Sequence, residues 1–400
     1  MREMKDSGIE WIGQIPSNWK IERMQWHLEE KNVGNNPVQT TNILSLTNKR
    51  GVIPYEEKGN QGNKSKEDVS GYKLAYPNTI VANSMNVIIG SVGLSKYYGC
   101  VSPVYYVFQA TNNANIEFFN YIFSVVGFQR ELRKYANGIL EIRLRVSADN
   151  ILKRPVAIPP DEEQARIVNF LNTKCSEIDA ISADIQKEIE TLEQYKRSVI
   201  TEAVTKGLNP NTETKKSAIF YMAPYNSGWH LTKIGYECTK LARPFSPADM
   251  PLLCTNKGKV SPRPNNMTGK MVSEDNAMQG IHKGDIAIHG MDTWHGAIAM
   301  SEYDGKITRV VHVCDSKQDK RFIVYYLQQL AFNDVYKLIS FGIRGNTSDF
   351  RSWDKVKDIY IALPDIDEQR KISDNLDLEC RYVEDHCSPL MLENGCISLI

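Results

Sequence analysis

The eight cysteines of this 400-residue chain form no recognisable motif. They are scattered from Cys100 to Cys396 without a CxxC pair, so the spacing of a zinc site is absent. A chain of this length can bury enough apolar surface to fold without disulfide bonds. We therefore expect reduced thiols and a cytoplasmic protein.

The chain also lacks an excess of charge of either sign and lacks long apolar runs. Lysine plus arginine equal aspartate plus glutamate at 48 each, so the formal net charge is zero. This excludes a protein coated in positive charge but leaves room for a locally basic groove. No apolar run reaches about 18 residues and the N-terminus carries no apolar signal segment, so no membrane association is predicted.

Catalytic motifs are scarce as well. No GxxxxGK[ST] loop is present, so ATP hydrolysis by this chain is not expected. The pairs Asn36-Pro37 and Asn209-Pro210 lack the following aromatic residue with which a methyltransferase stacks on an extruded base. The acidic runs at 161–163 and 365–368 lie at predicted helix starts, where carboxylates complement the helix dipole. These absences weigh against a nuclease or a fused methyltransferase.

Two halves of the chain repeat each other. Their offset drifts from 210 residues, between Trp19 and Trp229, to 205 residues, between Gln164 and Gln369. The other matches are Thr47-Asn48-Lys49 with Thr255-Asn256-Lys257, residues 78–82 with 284–288, and Gly99 with Gly305. Five matches in the same order predict that both halves share one fold.

Each half has the pattern of an α+β domain with a mostly antiparallel sheet. Short β-branched or aromatic runs predict strands at 43–46, 79–81, 86–89, 101–108, 285–288 and 309–313. Apolar residues at helical spacing predict a helix at 116–135 in the first half and at 321–338 in the second.

A long helix is predicted to follow each domain. Residues 161–205 contain neither proline nor glycine, and apolar residues recur every seventh position from Leu171 to Val199. Such a helix would be roughly 65 Å long. A second helix starts after Pro364, with Leu376 at the position of Leu171. Since one helix alone would expose its apolar seam, we predict an antiparallel coiled coil with pseudo-twofold symmetry.

The predicted organisation is therefore a repeated one. It consists of a first domain at 1–160, a central helix at 161–207, a linker at 208–218, a second domain at 219–365 and a distal helix at 366–400.

Three segments resemble the specificity subunits of type I restriction-modification systems: residues 7–19 (SGIEWIGQIPSNW), residues 158–164 (IPPDEEQ) and residues 195–207 (YKRSVITEAVTKG). The resemblance extends to about residue 387. It implies two target-recognition domains that read a bipartite site in double-stranded DNA, with helices that set the gap. It also implies docking of two methyltransferase subunits, which carry S-adenosylmethionine, and through them restriction and translocase subunits that use ATP and Mg²⁺. This chain itself would be non-catalytic and bind no cofactor or metal.

The end of the chain departs from the family pattern. The first helix extends 43 residues beyond Gln164, but only 31 residues follow Gln369, and Pro389 and Gly395 are predicted to interrupt the helix. A shortened or inactive specificity subunit would fit this pattern. Composition alone also leaves open a two-domain coiled-coil adaptor that does not bind DNA.

The repeated Thr-Asn-Lys loops are the first candidates for DNA contact. Asparagine matches adenine edges, and arginine or lysine matches guanine. The candidates are Asn48, Lys49, Arg50, Lys64 and Lys66 in the first half and Asn256, Lys257, Lys259, Arg263 and Lys270 in the second, with Lys73, Asn265 and Asn266 as further ones. Plain turns with solvated cations remain the alternative.

Two other groups of residues have several interpretations. Between residues 130 and 154 there are seven cations and only three carboxylates. This excess of positive charge is consistent with contact to DNA phosphates, with a solvated helix face or with binding to an acidic partner. His289, Trp294 and His295 correspond to Asn83, Ile88 and Ile89 of the first half. Solvated or base-contacting residues therefore fit this group better than metal ligands.

Overall fold

The computed structural model of the protein describes residues 2–47, 50–59, 68–137, 144–264, 275–340 and 349–397, the last seven by their backbone alone. Contacts within the chain divide it inside its longest helix into two compact units, Met1–Asp179 and Ala180–Ile400. The domain boundaries predicted above stay predictions. In the described part of the chain, no helix is both long and apolar enough to cross a membrane.

The first unit contains twelve strands among its described residues. They are β1 (Met4–Asp6), β2 (Gln14–Pro16), β3 (Lys20–Arg23), β4 (Leu28–Glu30), β5 (Leu44–Thr47), β6 (Gly51–Pro54), β7 (Lys73–Ala75), β8 (Thr79–Asn83), β9 (Val92–Ser95), β10 (Gly99–Val101), β11 (Tyr105–Ala110) and β12 (Pro155–Ile158). Its helices are α1 (Ile116–Ser124), α2 (Val126–Arg133), α3 (Ala148–Leu152) and the first part of α4 (Asp161–Lys206). Short 3-10 helices lie at Met24–Trp26, Tyr55–Lys58 and Val87–Ile89.

The second unit repeats this series among its own described residues. Its strands are β13 (Thr214–Lys215), β14 (Tyr225–Asn226), β15 (His230–Lys233), β16 (Cys238–Lys240), β17 (Leu252–Thr255), β18 (Lys259–Pro262), β19 (Met278–Ile281), β20 (Ile286–His289), β21 (Ile298–Met300), β22 (Gly305–Thr308), β23 (Val311–Ser316) and β24 (Tyr360–Leu363). Its helices are α5 (Ile234–Glu237), α6 (Lys320–Phe332), α7 (Val335–Leu338), α8 (Trp353–Lys357) and α9 (Ile366–Ile397), with 3-10 helices at Asp275–Ala277 and Thr293–His295.

The sheet topology of the two units is the same. The four-stranded sheet has the order β4-β11-β8-β9 in the first unit and β16-β23-β20-β21 in the second. The pairs β1–β2, β3–β12, β5–β6 and β7–β10 correspond to β13–β14, β15–β24, β17–β18 and β19–β22. All these named pairs are antiparallel. The predicted repeat of one α+β fold is confirmed.

The core of each unit lies between the four-stranded sheet and the helices that follow it. In the first unit Phe108 of β11 packs with Phe119 of α1 and Phe128 of α2, and all three are fully buried. In the second unit Phe322 and Leu327 of α6 occupy the corresponding layer. Burial of such side chains stabilises each unit by roughly 1.5–3 kcal/mol per residue.

The matched glycines Gly99 and Gly305 lie where two strands approach closely. A Cβ on Gly99 would collide with the carbonyl of Asn42 and the side chain of Leu44. A Cβ on Gly305 would collide in the same way with the carbonyl of Met250. Glycine is therefore required at both positions because only a hydrogen atom fits there.

The matched tryptophans anchor the starts of the long helices. The indole N–H of Trp19 donates to Glu163 Oε2 at 3.0 Å, and that of Trp229 donates to Glu368 Oε2 at 3.3 Å. The guanidinium of Arg2 adds a bidentate contact to Glu163 at 2.5 and 2.6 Å. The acidic helix starts thus connect α4 to the residue before β3 and α9 to the residue before β15, in addition to complementing the helix dipoles.

The predicted single helices at 116–135 and 321–338 are wrong, because each is broken once. Val125 is extended between α1 and α2, and this bend lets Gly127 pack against the Trp11 ring. Asp334 adopts a left-handed conformation (φ 55°) between α6 and α7. In each case a local turn directs the second segment back onto the core.

Two of the predicted strands are also wrong. The segment at 86–89 is the 3-10 helix Val87–Ile89, and it ends at Gly90 in a left-handed conformation to close a tight turn between β8 and β9. The run at 101–108 is divided between β10 and β11, because Pro103 has no N–H to donate to a sheet.

Within the second unit, α4 and α9 pack antiparallel, as predicted. Ile200 and Val204 of α4 are fully buried in one cluster with Ile372 and Leu376 of α9. Further along, Lys196 Nζ lies 3.1 Å from Glu384 Oε1. The two helices therefore run in opposite directions.

The helix α9 is 32 residues long and α4 is 46. The predicted interruption at Pro389 and Gly395 is wrong, because α9 continues through both residues to Ile397. A proline within a helix removes one backbone hydrogen bond and crowds the carbonyl four residues earlier, which can bend a helix without ending it.

Candidate nucleic-acid interface

The two predicted DNA loops occupy equivalent hairpins. The β5–β6 hairpin pairs Thr47 with Gly51, and the β17–β18 hairpin pairs Thr255 with Lys259. In each hairpin the threonine hydroxyl donates to the carbonyl of its paired residue, at 3.3 Å from Thr47 and 3.0 Å from Thr255. The structure therefore places the two predicted loops on equivalent hairpins.

In the first loop, Arg50 is held by the 3-10 helix that follows its hairpin. Its guanidinium donates to the Glu57 carboxylate at 2.5 Å and to the Glu57 carbonyl at 3.2 Å. Its backbone N–H donates to the Thr47 hydroxyl at 3.1 Å. Both side chains of this ion pair are exposed to solvent. Arg50 thus remains accessible but carries a local counter-charge.

Four further first-half candidates, Asn48, Lys49, Lys64 and Lys66, lie outside the described residues. Lys73 is described and is largely buried, with Nζ 3.2 Å from Glu30 Oε1 and over the Tyr106 ring. Because Lys73 is already paired with a carboxylate inside the first unit, it is a poor candidate for DNA contact.

The second loop is exposed at its tip and packed at its back. Asn256 and Lys257 are exposed. Gly258 has φ +69°, and a Cβ there would lie 2.6 Å from Nε2 of Gln328 on α6. The loop therefore lies directly against α6, and its backbone conformation requires glycine at this position.

Lys259 connects the second loop to the long helices. Its Nζ lies 2.7 Å from Oε2 of Glu384 on α9, whose other oxygen contacts Lys196 of α4. Partial burial raises the pKa of Glu384, but the hydrogen bonds and charges of the two lysines outweigh this effect and lower it. The carboxylate is thus held in its charged form between the two cations.

Arg263 does not belong to the tip of this loop. Arg263 lies one residue beyond β18, at the base of the hairpin, where its backbone N–H donates to the Pro251 carbonyl at 2.9 Å. Lys270, Asn265 and Asn266 lie outside the described residues.

Three of the six described cations between residues 130 and 154 make contacts within the first unit. Lys134 pairs with Glu131 at 2.8 Å, Lys153 pairs with Asp149 at 2.7 Å, and the guanidinium of Arg154 stacks 3.5 Å from the Tyr135 ring centre. Arg143 lies outside the described residues. The exposed cations of the described segment that carry none of these contacts are Arg130, Arg133 and Arg145.

His289 caps a turn. Its Nδ1 accepts from the backbone N–H groups of Met291 at 3.3 Å and Asp292 at 3.1 Å. Asn83, its equivalent in the first unit, accepts from the Met85 N–H at 3.0 Å in the same way. Burial lowers the pKa of His289, which favours the neutral ring that this acceptor role needs. His289 is therefore a part-buried structural residue and not a solvated one.

Three comparisons with known proteins relate the chain to one family. Residues 20–191 match the model of the type I restriction modification DNA specificity domain. Over 398 residues, the chain is 22% identical to a protein of Methanocaldococcus jannaschii that is named as the proposed specificity subunit of the type I restriction enzyme MjaX. That alignment covers 91% of this chain and 87% of the relative.

One solved structure shares the fold along nearly the full length of the chain, and a second is less similar. One, from work on assembly and conformational transition of the type I restriction-modification system, has a TM-score of 0.68 at 14% identity and covers 96% of this chain and 95% of the other. The HsdS subunit of Thermoanaerobacter tengcongensis has a TM-score of 0.48 at 14% identity, with 96% of each chain covered.

Proposed function

We propose, from the similarity of this chain to specificity subunits of type I restriction-modification systems, that it is such a subunit, binds a bipartite DNA site and reads one half-site with each repeated unit. As a specificity subunit it is not the catalytic component. The chemistry of such a complex belongs to the subunits that it directs.

One observation supports a separate half-site for each unit. The β5–β6 and β17–β18 hairpins have the same register and share the sequence Thr-Asn-Lys, but this continues as Arg50-Gly51 in the first loop and as Gly258-Lys259 in the second. Arginine and lysine match guanine edges, whereas asparagine matches adenine. Two copies of one hairpin with different side chains would therefore select different bases.

The two long helices suit the role of a scaffold. The continuous helix α4 follows the first repeat and, in the second unit, packs against α9 through a buried apolar seam. We propose that the helices fix the gap between the half-sites and dock two methyltransferase subunits, which in turn bring the restriction and translocase subunits. S-adenosylmethionine, ATP and Mg²⁺ would be bound by these partners and no cofactor by this chain.

Co-expression of the full chain with its cognate methyltransferase subunit tests this proposal. The expected result is adenine modification at two short, defined sequences separated by a fixed number of unspecified bases. The methyltransferase subunit expressed alone is the control and should show no such site.

Binding of the purified complex to duplex DNA adds an independent measurement. Neutralising phosphates releases counterions, so affinity should fall steeply as the salt concentration rises. A chain that acts as a protein adaptor would show neither this dependence nor a defined site, and that result would contradict the proposal.

A further inference from the structure

A single carboxylate connects the second loop to both long helices. Glu384 of α9 contacts Lys196 of α4 through Oε1 at 3.1 Å and Lys259 of the β17–β18 hairpin through Oε2 at 2.7 Å. Lys196 and Lys259 belong to elements that are distant in sequence. Glu384 is thus the point in the second unit at which the helix pair and the predicted DNA loop meet.

We propose that Glu384 is a positioning residue that sets the orientation of residues 256–259 and thereby couples the helix pair to recognition of the second half-site. This inference rests on the proposed function and goes beyond it. The helices would then influence which bases are read, in addition to the gap between the half-sites.

The loop is held directly after its exposed tip, which is formed by Asn256 and Lys257. Gly258 packs against the amide of Gln328, which is buried and donates to the Ile298 carbonyl at 2.7 Å. The next residue, Lys259, is held by Glu384. Both contacts follow Lys257 in the chain, so the direction of its backbone depends on them.

The pairing also assigns different roles to the two lysines of the loop. Lys259 already contacts a carboxylate whose side chain is only 41% exposed, and moving its ammonium to DNA would leave that carboxylate with one cation fewer. Charged groups that lose a partner in a part-buried place are destabilised. Both lysines are exposed, but the ammonium of Lys259 is already on this carboxylate, so we assign DNA contact to Lys257 and positioning of the loop to Lys259.

The first repeat lacks this connection. The residue paired with Thr47, at the position of Lys259, is Gly51, which has no side chain to extend towards a helix. Arg50 contacts Glu57 of its own unit instead. A substitution of Glu384 should consequently change how well the bases of the second half-site are discriminated and leave discrimination at the first half-site unaffected.

The test uses the full chain in complex with its methyltransferase subunit. Glu384→Gln removes the charge while keeping the shape of the side chain. Glu379→Gln is the matched control, because Glu379 lies on the same helix but accepts from the Tyr195 hydroxyl and not from the loop. Methylation of a library of variant sites measures discrimination at each position of both half-sites.

Glu384→Gln should reduce discrimination at the second half-site by roughly 2- to 10-fold, with the first half-site unchanged. Lys259→Met should give the same loss, and the double variant should lose no more than either single one. If Glu384→Gln and Glu379→Gln change discrimination at the second half-site by the same factor, the proposal is overturned. Additive losses accompanied by a salt slope about one unit smaller in Lys259→Met would also overturn it, since Lys259 would then contact phosphate directly.

Modification by the unaltered complex separates failure of the proposed function from failure of the role of Glu384. If the unaltered complex modifies no bipartite site, the proposed function fails. If it modifies such a site but all variants read the second half-site normally, only the role of Glu384 fails. Thermal unfolding of each variant checks that the fold is intact.

Discussion

The two units share their backbone topology but differ in how their predicted DNA loops are supported. In the first unit Arg50 pairs with Glu57 within the same segment, whereas in the second Lys259 pairs with Glu384 on a long helix. The contacts that both units retain, such as the glycine packing and the tryptophan anchors, fix the backbone. Those that differ involve side chains at the loop, where different DNA sequences would be read.

The contacts that attach each long helix to its unit are also partly shared by the two units and partly different. The hydroxyl of Tyr121 donates to Asn172 on α4 at 2.7 Å, and that of Tyr325 donates to Asp377 on α9 at 2.8 Å. The second contact also includes Arg321, whose guanidinium lies 2.7 Å from Asp377. Equivalent positions thus make equivalent contacts, with an ion pair in the second unit.

The largest expected difference between the units lies in the helix seam. Leu376 is fully buried against α4, whereas its counterpart Leu171 is part-exposed. Leu376→Ala should lower the free energy of unfolding by about 2–5 kcal/mol because it leaves a cavity. Leu171→Ala should cost less than about 1 kcal/mol. Denaturant unfolding measures both, and equal losses would show that the two seams are equally packed.

The matched glycines should, by contrast, behave alike. Gly99→Ala and Gly305→Ala each place a methyl group against a backbone carbonyl, so each should destabilise its unit by about 1–3 kcal/mol. Gly34→Ala is the control, because a Cβ there meets no atom within 4 Å. A large effect at only one of the two glycines, measured by thermal unfolding, would mean that the repeats are packed differently.

A smaller and pH-dependent difference concerns the helix starts. Hydrogen bonds from Arg2 and then Trp19 lower the pKa of Glu163 from 4.5 to about 2, against the opposing effect of burial. Because the folded-state pKa is depressed, this contribution to stability is present above about pH 4.5 and is lost as the pH falls through about 2. The stability difference between the unaltered protein and Glu163→Gln should therefore shrink between pH 5 and pH 2.

Unfolding followed as a function of pH tests this expectation. Arg2→Ala should remove most of the same pH dependence, since Arg2 makes the strongest contact to Glu163. A stability difference that stays constant down to pH 2 would show that the Arg2–Glu163 contact does not form in solution.

The features that the sequence predicted correctly are those that recur in it. Trp19 and Trp229 mark equivalent anchors, and the heptad spacing from Leu171 to Val199 marks the long helix. The features that it missed depend on contacts between distant residues. Glu384 belongs to no motif in the sequence, and its contact with Lys259, 125 positions away, cannot be predicted from the residues around either of them. The 3-10 helix at Val87–Ile89 was missed because an apolar run alone does not distinguish a strand from a tight turn.

Separate reading of one half-site by each unit is the central claim, and paired loop variants test it most directly. Arg50→Ala and Lys257→Ala should each be assembled with the methyltransferase subunit, and the modified sites should be mapped. Each substitution should cost roughly 1–3 kcal/mol and relax the choice of bases in one half-site only, a different one for each variant. Relaxation of the same half-site by both variants, or of both half-sites by either one, would contradict the account.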